Sequence, residues 1–254
     1  MPENAKGLNH DKLEELTQLT GELAHEIKNP LSTIKVNLKL ISEDLEDSSA
    51  AQQGAPVRNE QKFARALRKL AVVRKETDRL EQTLDGFLRY VGRPELQLEE
   101  IDINSLVSDM IDFYSAQAHT HRITIREGFG SGPLVCKVDV GMLKQVILNL
   151  FINSQQAMEG GGDLMIRTAK QSECAVLQVA DTGRGIPADR LCTLFQPYHS
   201  LRPGGTGLGL ATAKKIIEAH KGSIEVHSEP GRGVCFTIKL PLVADRAGSS
   251  EVPH

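Results

Sequence analysis

Four clusters in the chain combine residue types and spacings that can do chemistry. The first is His25-Glu26-Ile27-Lys28-Asn29-Pro30. An imidazole is a competent nucleophile, and a neighbouring carboxylate can take its proton. Asn29 lies one helical turn beyond His25, on the same face, where it can orient a water or a phosphoryl oxygen. The second cluster is the pair Asn149 and Asn153, at i and i+4 in an otherwise apolar run. Their amide oxygens share a helix face and suit a hard cation such as Mg²⁺. The third is Asp181-Thr182-Gly183-Arg184-Gly185-Ile186, directly after the apolar run 175–180. An Asp at a strand end can accept a hydrogen bond from an exocyclic amine, and the glycines let backbone approach a ligand closely or take positive φ. The fourth, Gly204-Gly205-Thr206-Gly207-Leu208-Gly209-Leu210, opens a helix whose first amides form an anion site.

Each cluster alone also has a plainer reading. An exposed His can simply be solvated, and paired Asn residues are often structural. An Asp-x-Gly-x-Gly can be a tight turn, and a glycine run before a helix can be a loop. The dinucleotide signature GxGxxG is absent in its required strand–turn–helix setting, and so is a P-loop. A nucleotide, if bound, is held by another architecture.

The elements that must carry these residues fall into two kinds. In the first ninety residues, apolar positions recur at steps of three and four: Leu13, Leu16, Thr20, Leu23 and Ile27, then Leu31, Ile34, Leu38, Ile41 and Leu45. This is the seam of a long helix, and residues 13 to 45 extend about 50 Å. A second seam runs through Phe63, Ala66, Leu70, Val73, Thr77, Leu80, Leu84, Phe87 and Val91, and the segment from Asp47 to Pro56 has turn composition. A helical hairpin follows. One hairpin cannot bury its apolar stripe alone, so a homodimer closing a four-helix bundle is predicted. With Leu23 and Ile27 on the seam, His25 points away from the partner helix. Pro30 predicts a kink in the first helix, and Gly92-Arg93-Pro94 predicts the end of the second.

Beyond residue 94 the periods change. Helices are expected near 104–119, 139–158, 187–194 and 207–220, and strands near 122–128, 163–170, 174–180, 222–228 and 233–240. Interspersed strands and helices imply an α/β sandwich, a sheet covered by helices on one face. The expected division is an N-terminal segment 1–12, a hairpin 13–93, an α/β domain 94–243 and a disordered tail 244–254.

Composition narrows the class. The net charge of -3 gives no electrostatic case for nucleic acid or an anionic membrane. No apolar run approaches the roughly 20 residues of a membrane span, and Met1-Pro2-Glu3-Asn4 lacks the features of a signal peptide. Cys136, Cys174, Cys192 and Cys235 are scattered, with no CxxC pair, as expected of free thiols in a reducing cytoplasm. Only 4% of the residues are aromatic, and there is no Trp.

Taken in order, His-Glu-x-x-Asn-Pro, Asn-x3-Asn, Asp-x-Gly-x-Gly, Phe195-x-Pro197 and Gly-x-Gly-x-Gly resemble the H, N, G1, F and G2 boxes of sensor histidine kinases. The resemblance runs from about residue 13 to about 242 and looks most like the nitrogen-regulator type, in which Gln155-Gln156-Ala157-Met158 after the second Asn is typical. It implies a dimerisation and histidine-phosphotransfer hairpin followed by a Bergerat-fold ATP-binding domain.

Carried over position by position, the resemblance implies that His25 is the phosphoacceptor and Glu26 its base. Asn29 matches the position linked to phosphotransfer and to dephosphorylation of the partner. Asn153 is the implied Mg²⁺ ligand, with Asn149 supporting phosphate or metal-bound water. Asp181 is implied to hold the adenine amine of ATP, with Gly183, Gly185 and Ile186 shaping the pocket. Gly205, Thr206, Gly207, Leu208 and Gly209 are implied to meet the phosphates. The lid departs from the common Phe-Phe-Thr-Thr-Lys: Tyr198-His199-Ser200-Leu201-Arg202 stands there, which puts Arg202 at the Lys position and removes a hydroxyl at Leu201. Ser154 replaces the usual Ala, with little consequence expected.

The implied partner is a response-regulator receiver domain, whose aspartate takes the phosphoryl group. Two rivals differ in class: a non-kinase ATPase of the same nucleotide fold, and a non-catalytic dimer acting as a platform or only as a phosphatase. The hairpin with its outward His25 argues against the first. The intact Asn149, Asn153, Asp181 and glycines argue against the second. Hairpin and ATP-binding domain together leave about a dozen residues at the N-terminus for a sensor, so signal input is expected from a partner, a soluble ligand or a missing segment.

Overall fold

The computed structural model describes residues 3–50, 56–92, 95–200 and 205–244. Arg202 and the tail expected from residue 244 therefore lie outside the described residues, apart from residue 244 itself. The chain divides into two units: the hairpin through Gly92 together with the segment ending at Leu208, and the remainder, from Arg93 to His199 and from Gly209 on.

The hairpin consists of α1 (Glu3–Ala50) and α2 (Pro56–Val91). Both ends of α1 correct the expectation from the seam: the helix begins ten residues before Leu13 and continues through Asp47-Ser48-Ser49-Ala50. Polar residues without an apolar period can extend a helix that is already nucleated, so the turn composition overstated the loop. The helix also runs through Pro30 without a break in its assignment. Proline there removes the bond to the Glu26 carbonyl and crowds that oxygen, which favours a kink.

The two helices run antiparallel. Lys69 pairs with Asp44 at 2.6 Å, and Arg79 reaches Glu26 at 3.5 Å. Leu19, Ile41, Ala66 and Tyr90 are buried, whereas Leu31, Leu38 and Leu45 on the α1 seam and Phe63, Leu70 and Leu84 on the α2 seam stay exposed.

The second unit holds a five-stranded sheet in the order β2-β4-β5-β7-β6: β2 (Ile123–Gly128), β4 (Gly162–Gln171), β5 (Cys174–Asp181), β6 (Ser223–Glu229) and β7 (Gly233–Pro241). All pairs are antiparallel except β2 with β4. Helices α3 (Ile103–Thr120), α4 (Val140–Ala157) and α6 (Gly209–Ala219) pack their apolar sides on it. The alternation of buried and part-exposed residues along β7 is that of a sheet with one face in the core.

Two short strands were not expected. β1 (Glu99–Asp102) and β3 (Val135–Val138) form a separate antiparallel pair. At four residues each, and with Glu99 and Glu100 of β1 exposed, they carry too little alternation to be seen. The helix expected over 187–194 is only one turn, α5 (Ala188–Leu191).

Aspartates start the two long helices of this unit. Asp102 caps α3 through the Asn104 amide, and Asp139 caps α4 through the Met142 amide at 2.9 Å. These caps matter because α4 carries Asn149 and Asn153.

Candidate functional site

His25 sits exposed on α1, as a seam through Leu23 and Ile27 requires. Its neighbour in space is Asn29, whose amide nitrogen lies 3.5 Å from Nδ1. With the amide N–H toward Nδ1, the neutral ring carries its proton on Nε2. With the amide turned so that its oxygen faces the ring, Nδ1–H is held and the lone pair moves to Nε2. The Asn29 amide can thus favour either tautomer of the ring, according to which of its atoms faces Nδ1.

Glu26 is placed differently from the sequence expectation. Its carboxylate is paired with Arg79 of α2 rather than with the imidazole, and Arg79 is also 3.9 Å from Glu76. A base at Glu26 must exchange partners before it takes a proton from His25.

In the other unit, Asp181 ends β5 and is 4% exposed. Its Oδ1 accepts two backbone N–H groups, from Gly183 at 2.9 Å and from Val234 at 3.3 Å. The carboxylate is therefore fixed in direction by the loop that follows it and by the start of β7. That loop is clamped on two sides. Toward α4, the Arg184 amide donates to the Ala157 carbonyl at 3.3 Å, and a Cβ on Gly183 would stand 2.7 Å from the Ala157 side chain. Toward the β6–β7 turn, Gly185 has φ +69 and a Cβ there would lie 2.2 Å from the Glu229 carbonyl. Both glycines of the motif are therefore demanded by close backbone approach.

Asn149 and Asn153 lie half-buried on α4. The Asn149 amide nitrogen donates to the Gly209 carbonyl at 3.3 Å, joining the helix of the paired asparagines to the first residue of α6. At the end of α4, the Gln155 amide oxygen accepts from the Tyr114 hydroxyl and from the Gln117 amide at 3.1 Å. Burial pushes the Tyr114 hydroxyl up to about 12, so it stays a donor. Ser154, expected to be of little consequence, is buried with its Oγ unpartnered among the described residues.

Among the described residues no three His, Cys, Asp or Glu side chains cluster as a metal cage. The amide oxygens of Asn149 and Asn153 are of the hard donor type that Mg²⁺ accepts. Of the lid, Thr206 Oγ1 accepts from the Leu208 amide at 3.4 Å, Gly207 has φ +65, and Gly205 is exposed. Phe195 packs edge-on to Phe236 of β7, with ring centroids 6.4 Å apart. The structure thus brings Asn149, Gly209, Asp181, Gly183, Gly185 and Ile186 into one unit and places His25, Glu26 and Asn29 in the other.

Residues 15–91 match the family described as the His Kinase A (phospho-acceptor) domain, and residues 138–244 match the Histidine kinase-, DNA gyrase B-, and HSP90-like ATPase family. The chain belongs to the two-component sensor histidine kinases. Sensor histidine kinase ZraS of Escherichia coli (strain K12) is 34% identical over 232 residues, which is 91% of this chain and 47% of that protein. Signal transduction histidine-protein kinase AtoS of the same strain is 29% identical over 233 residues, 91% of this chain and 36% of that protein. The chain thus spans about half, or less, of the length of these histidine kinases.

Among solved structures, the catalytic domain of histidine kinase ThkA is 26% identical, covers 57% of this chain and 96% of its own, and superposes with a TM-score of 0.52. ThkA in complex with response regulator TrrA covers 92% of this chain and 64% of its own with a TM-score of 0.71; at 23% identity it speaks for the shared fold. A helical hairpin followed by an α/β ATPase domain is the architecture of these histidine kinases, as the sequence implied. No helix among the described residues is long and apolar enough to cross a membrane.

The residues that sequence reasoning missed all act from a distance along the chain. Arg79 pairs with Glu26, Tyr114 holds Gln155, and Ala157 and Val234 bind the Asp181 loop. Only Ala157 lies in a motif, the Gln155-Gln156-Ala157-Met158 run, and it acts through its backbone carbonyl.

Proposed function

We propose that this protein is an ATP-dependent histidine kinase that phosphorylates its own His25 and passes the phosphoryl group to an aspartate of a response-regulator receiver domain. The observation that carries the reading is the pairing of an exposed His25, with Asn29 at its Nδ1, and a second unit in which Asp181 is locked by two amides beside glycines that admit no side chain.

In the first half-reaction the His25 Nε2 lone pair forms the N–P bond, the bond from the γ-phosphorus to the β,γ-bridging oxygen breaks, and ADP leaves. The ring proton departs to Glu26, once freed from Arg79, or to water. In the second, a carboxylate oxygen of the receiver forms an acyl phosphate as the N–P bond breaks. Asp181 receives the adenine amine, and Gly183, Gly185 and Ile186 form the pocket floor. Asn153, supported by Asn149, would hold Mg²⁺, which when bound neutralises phosphate charge. Gly209, whose carbonyl accepts from Asn149, opens the helix whose first amides would meet the phosphates. The protein works as a homodimer in the cytoplasm: its hairpin leaves half of each seam exposed.

Incubation with γ-labelled ATP and Mg²⁺ tests the reading. The expected result is acid-labile label that is lost in His25→Gln while that variant still binds ATP. Label that survives the substitution, or no label at all, contradicts it.

A further inference from the structure

The loop after Asp181 is held by one side chain that no motif contains. Ser228, near the end of β6, accepts a hydrogen bond from the Ile186 amide at 2.8 Å and donates one to the Gly233 carbonyl at 2.8 Å. Its hydroxyl thus serves as both acceptor and donor to backbone, with one partner in the Asp181 loop and one at the start of β7.

The rest of that seam joins backbone to backbone or to the Asp181 carboxylate. The Gly231 amide donates to the Arg184 carbonyl at 2.8 Å, and the Val234 amide donates to Asp181 Oδ1. A Cβ on Gly233, where φ is +97, would fall 1.8 Å from the Asp181 carbonyl oxygen. These contacts close a ring: Asp181 to Ile186 along the loop, Ile186 to Ser228, Ser228 to Gly233, and Val234 back to the Asp181 carboxylate. A serine hydroxyl is the ring's only side-chain link besides that carboxylate.

We propose that Ser228 is a positioning residue for nucleotide recognition, setting the distance between the Asp181 carboxylate and the Gly185–Ile186 backbone and so the selection of adenine over other bases. The proposal rests on Asp181 marking the base pocket. It goes further in naming what holds that pocket to width. The physical reason is that a base is discriminated by a carboxylate acceptor at fixed reach from a flat backbone floor. Losing the hydroxyl leaves the Ile186 amide and the Gly233 carbonyl without their partner, and the loop is then free to drift from the carboxylate.

The test uses the full chain, titrated with ATP and with GTP, and labelling rates at saturating Mg-ATP. In Ser228→Ala, ATP affinity is expected to fall about tenfold, the size of effect that one hydrogen-bonded link commonly carries. The preference for ATP over GTP should shrink, the saturated rate should hold, and Ser228→Thr should restore both affinity and preference. Unchanged ATP affinity and preference in a folded Ser228→Ala protein overturns the proposal, as does a lower saturated rate at unchanged affinity. If the Ala variant fails to fold, Ser228→Cys, with a weaker donor in a similar volume, must show an intermediate affinity, and wild-type affinity there overturns the proposal equally. Asp181→Asn separates the two readings. If it binds ATP normally, the base pocket itself is misplaced. If it abolishes binding while Ser228→Ala does nothing, only the role of Ser228 falls.

Discussion

The two units solve the same problem of holding reactive groups still by opposite means. The hairpin has few buried side chains, keeps much of its apolar seam in solvent, and presents His25 on an open face with one hydrogen-bonded neighbour. The ATPase unit has a continuous core from Ile103 to Leu240, and its site is set by backbone packed against backbone. On the proposed function, a group that meets both a nucleotide and a receiver domain profits from exposure. A pocket that must recognise one base profits from rigidity. The contrast is open to attack by substitution.

The largest effect should come from Gly233→Ala. A methyl group there meets the Asp181 carbonyl at 1.8 Å in a left-handed backbone, so a loss of about 3 kcal/mol or more is expected. Thermal unfolding should show it, together with loss of ATP binding. A stable, ATP-binding Gly233→Ala protein would mean that the ATPase site is not built on close backbone contact.

Next is the open half of the hairpin. Leu38 and Leu70, each 47% exposed in the single chain, are replaced together by Asp. Analytical ultracentrifugation should then find monomers, with ATP binding by the second unit unchanged. Persistence of the dimer would show that the bundle closes through other residues.

A smaller effect is expected at the helix that carries the paired asparagines. The Met142 amide, ahead of the Gln97 amide, holds the Asp139 carboxyl below the usual Asp range. Its folded pKa is lowered, so its stabilisation is complete above the unfolded value of about 3.9 and fades as pH falls through the folded value. Asp139→Ala should cost about 1 kcal/mol near neutrality. The difference from wild type should close in acid, below the folded value. A gap that is flat with pH would mean that the carboxylate is not the cap.

The smallest change runs the other way. Gly21 lies inside α1 with nothing within 4 Å of a built Cβ. Gly21→Ala should stabilise the hairpin by up to about 1 kcal/mol, as in any open helix interior. Denaturant titration measures it, and a loss of stability would place a partner helix against that position.

The same contrast explains what could be read from the chain beforehand. Seam residues such as Leu31 and Leu38 repeat at seven, so the hairpin and its open face were legible from periodicity alone. Asp181 was legible because a carboxylate at the end of an apolar strand is conspicuous. The short strands β1 and β3 were not, having only four residues each. Arg79 beside Glu26 was not either, because 53 residues separate them and an Arg on an α2 face looks like any solvated charge. Ser228 is the clearest case: its place in the alternation puts it on the inward face with Ile224 and Val226, but a serine at a strand end names no partner. Only the turn that folds β6 back along β7 gives it Ile186, 42 residues away in sequence, as a partner.

The central claim, that the outward imidazole of α1 is the phosphoryl acceptor, is tested most directly by locating the modification. The full chain is incubated with Mg-ATP, digested at alkaline pH and sequenced by tandem mass spectrometry. The expected result is one phosphoryl group on His25, absent after brief acid treatment and absent in His25→Gln. A phosphoryl group on any other residue, or one that survives acid, would contradict it.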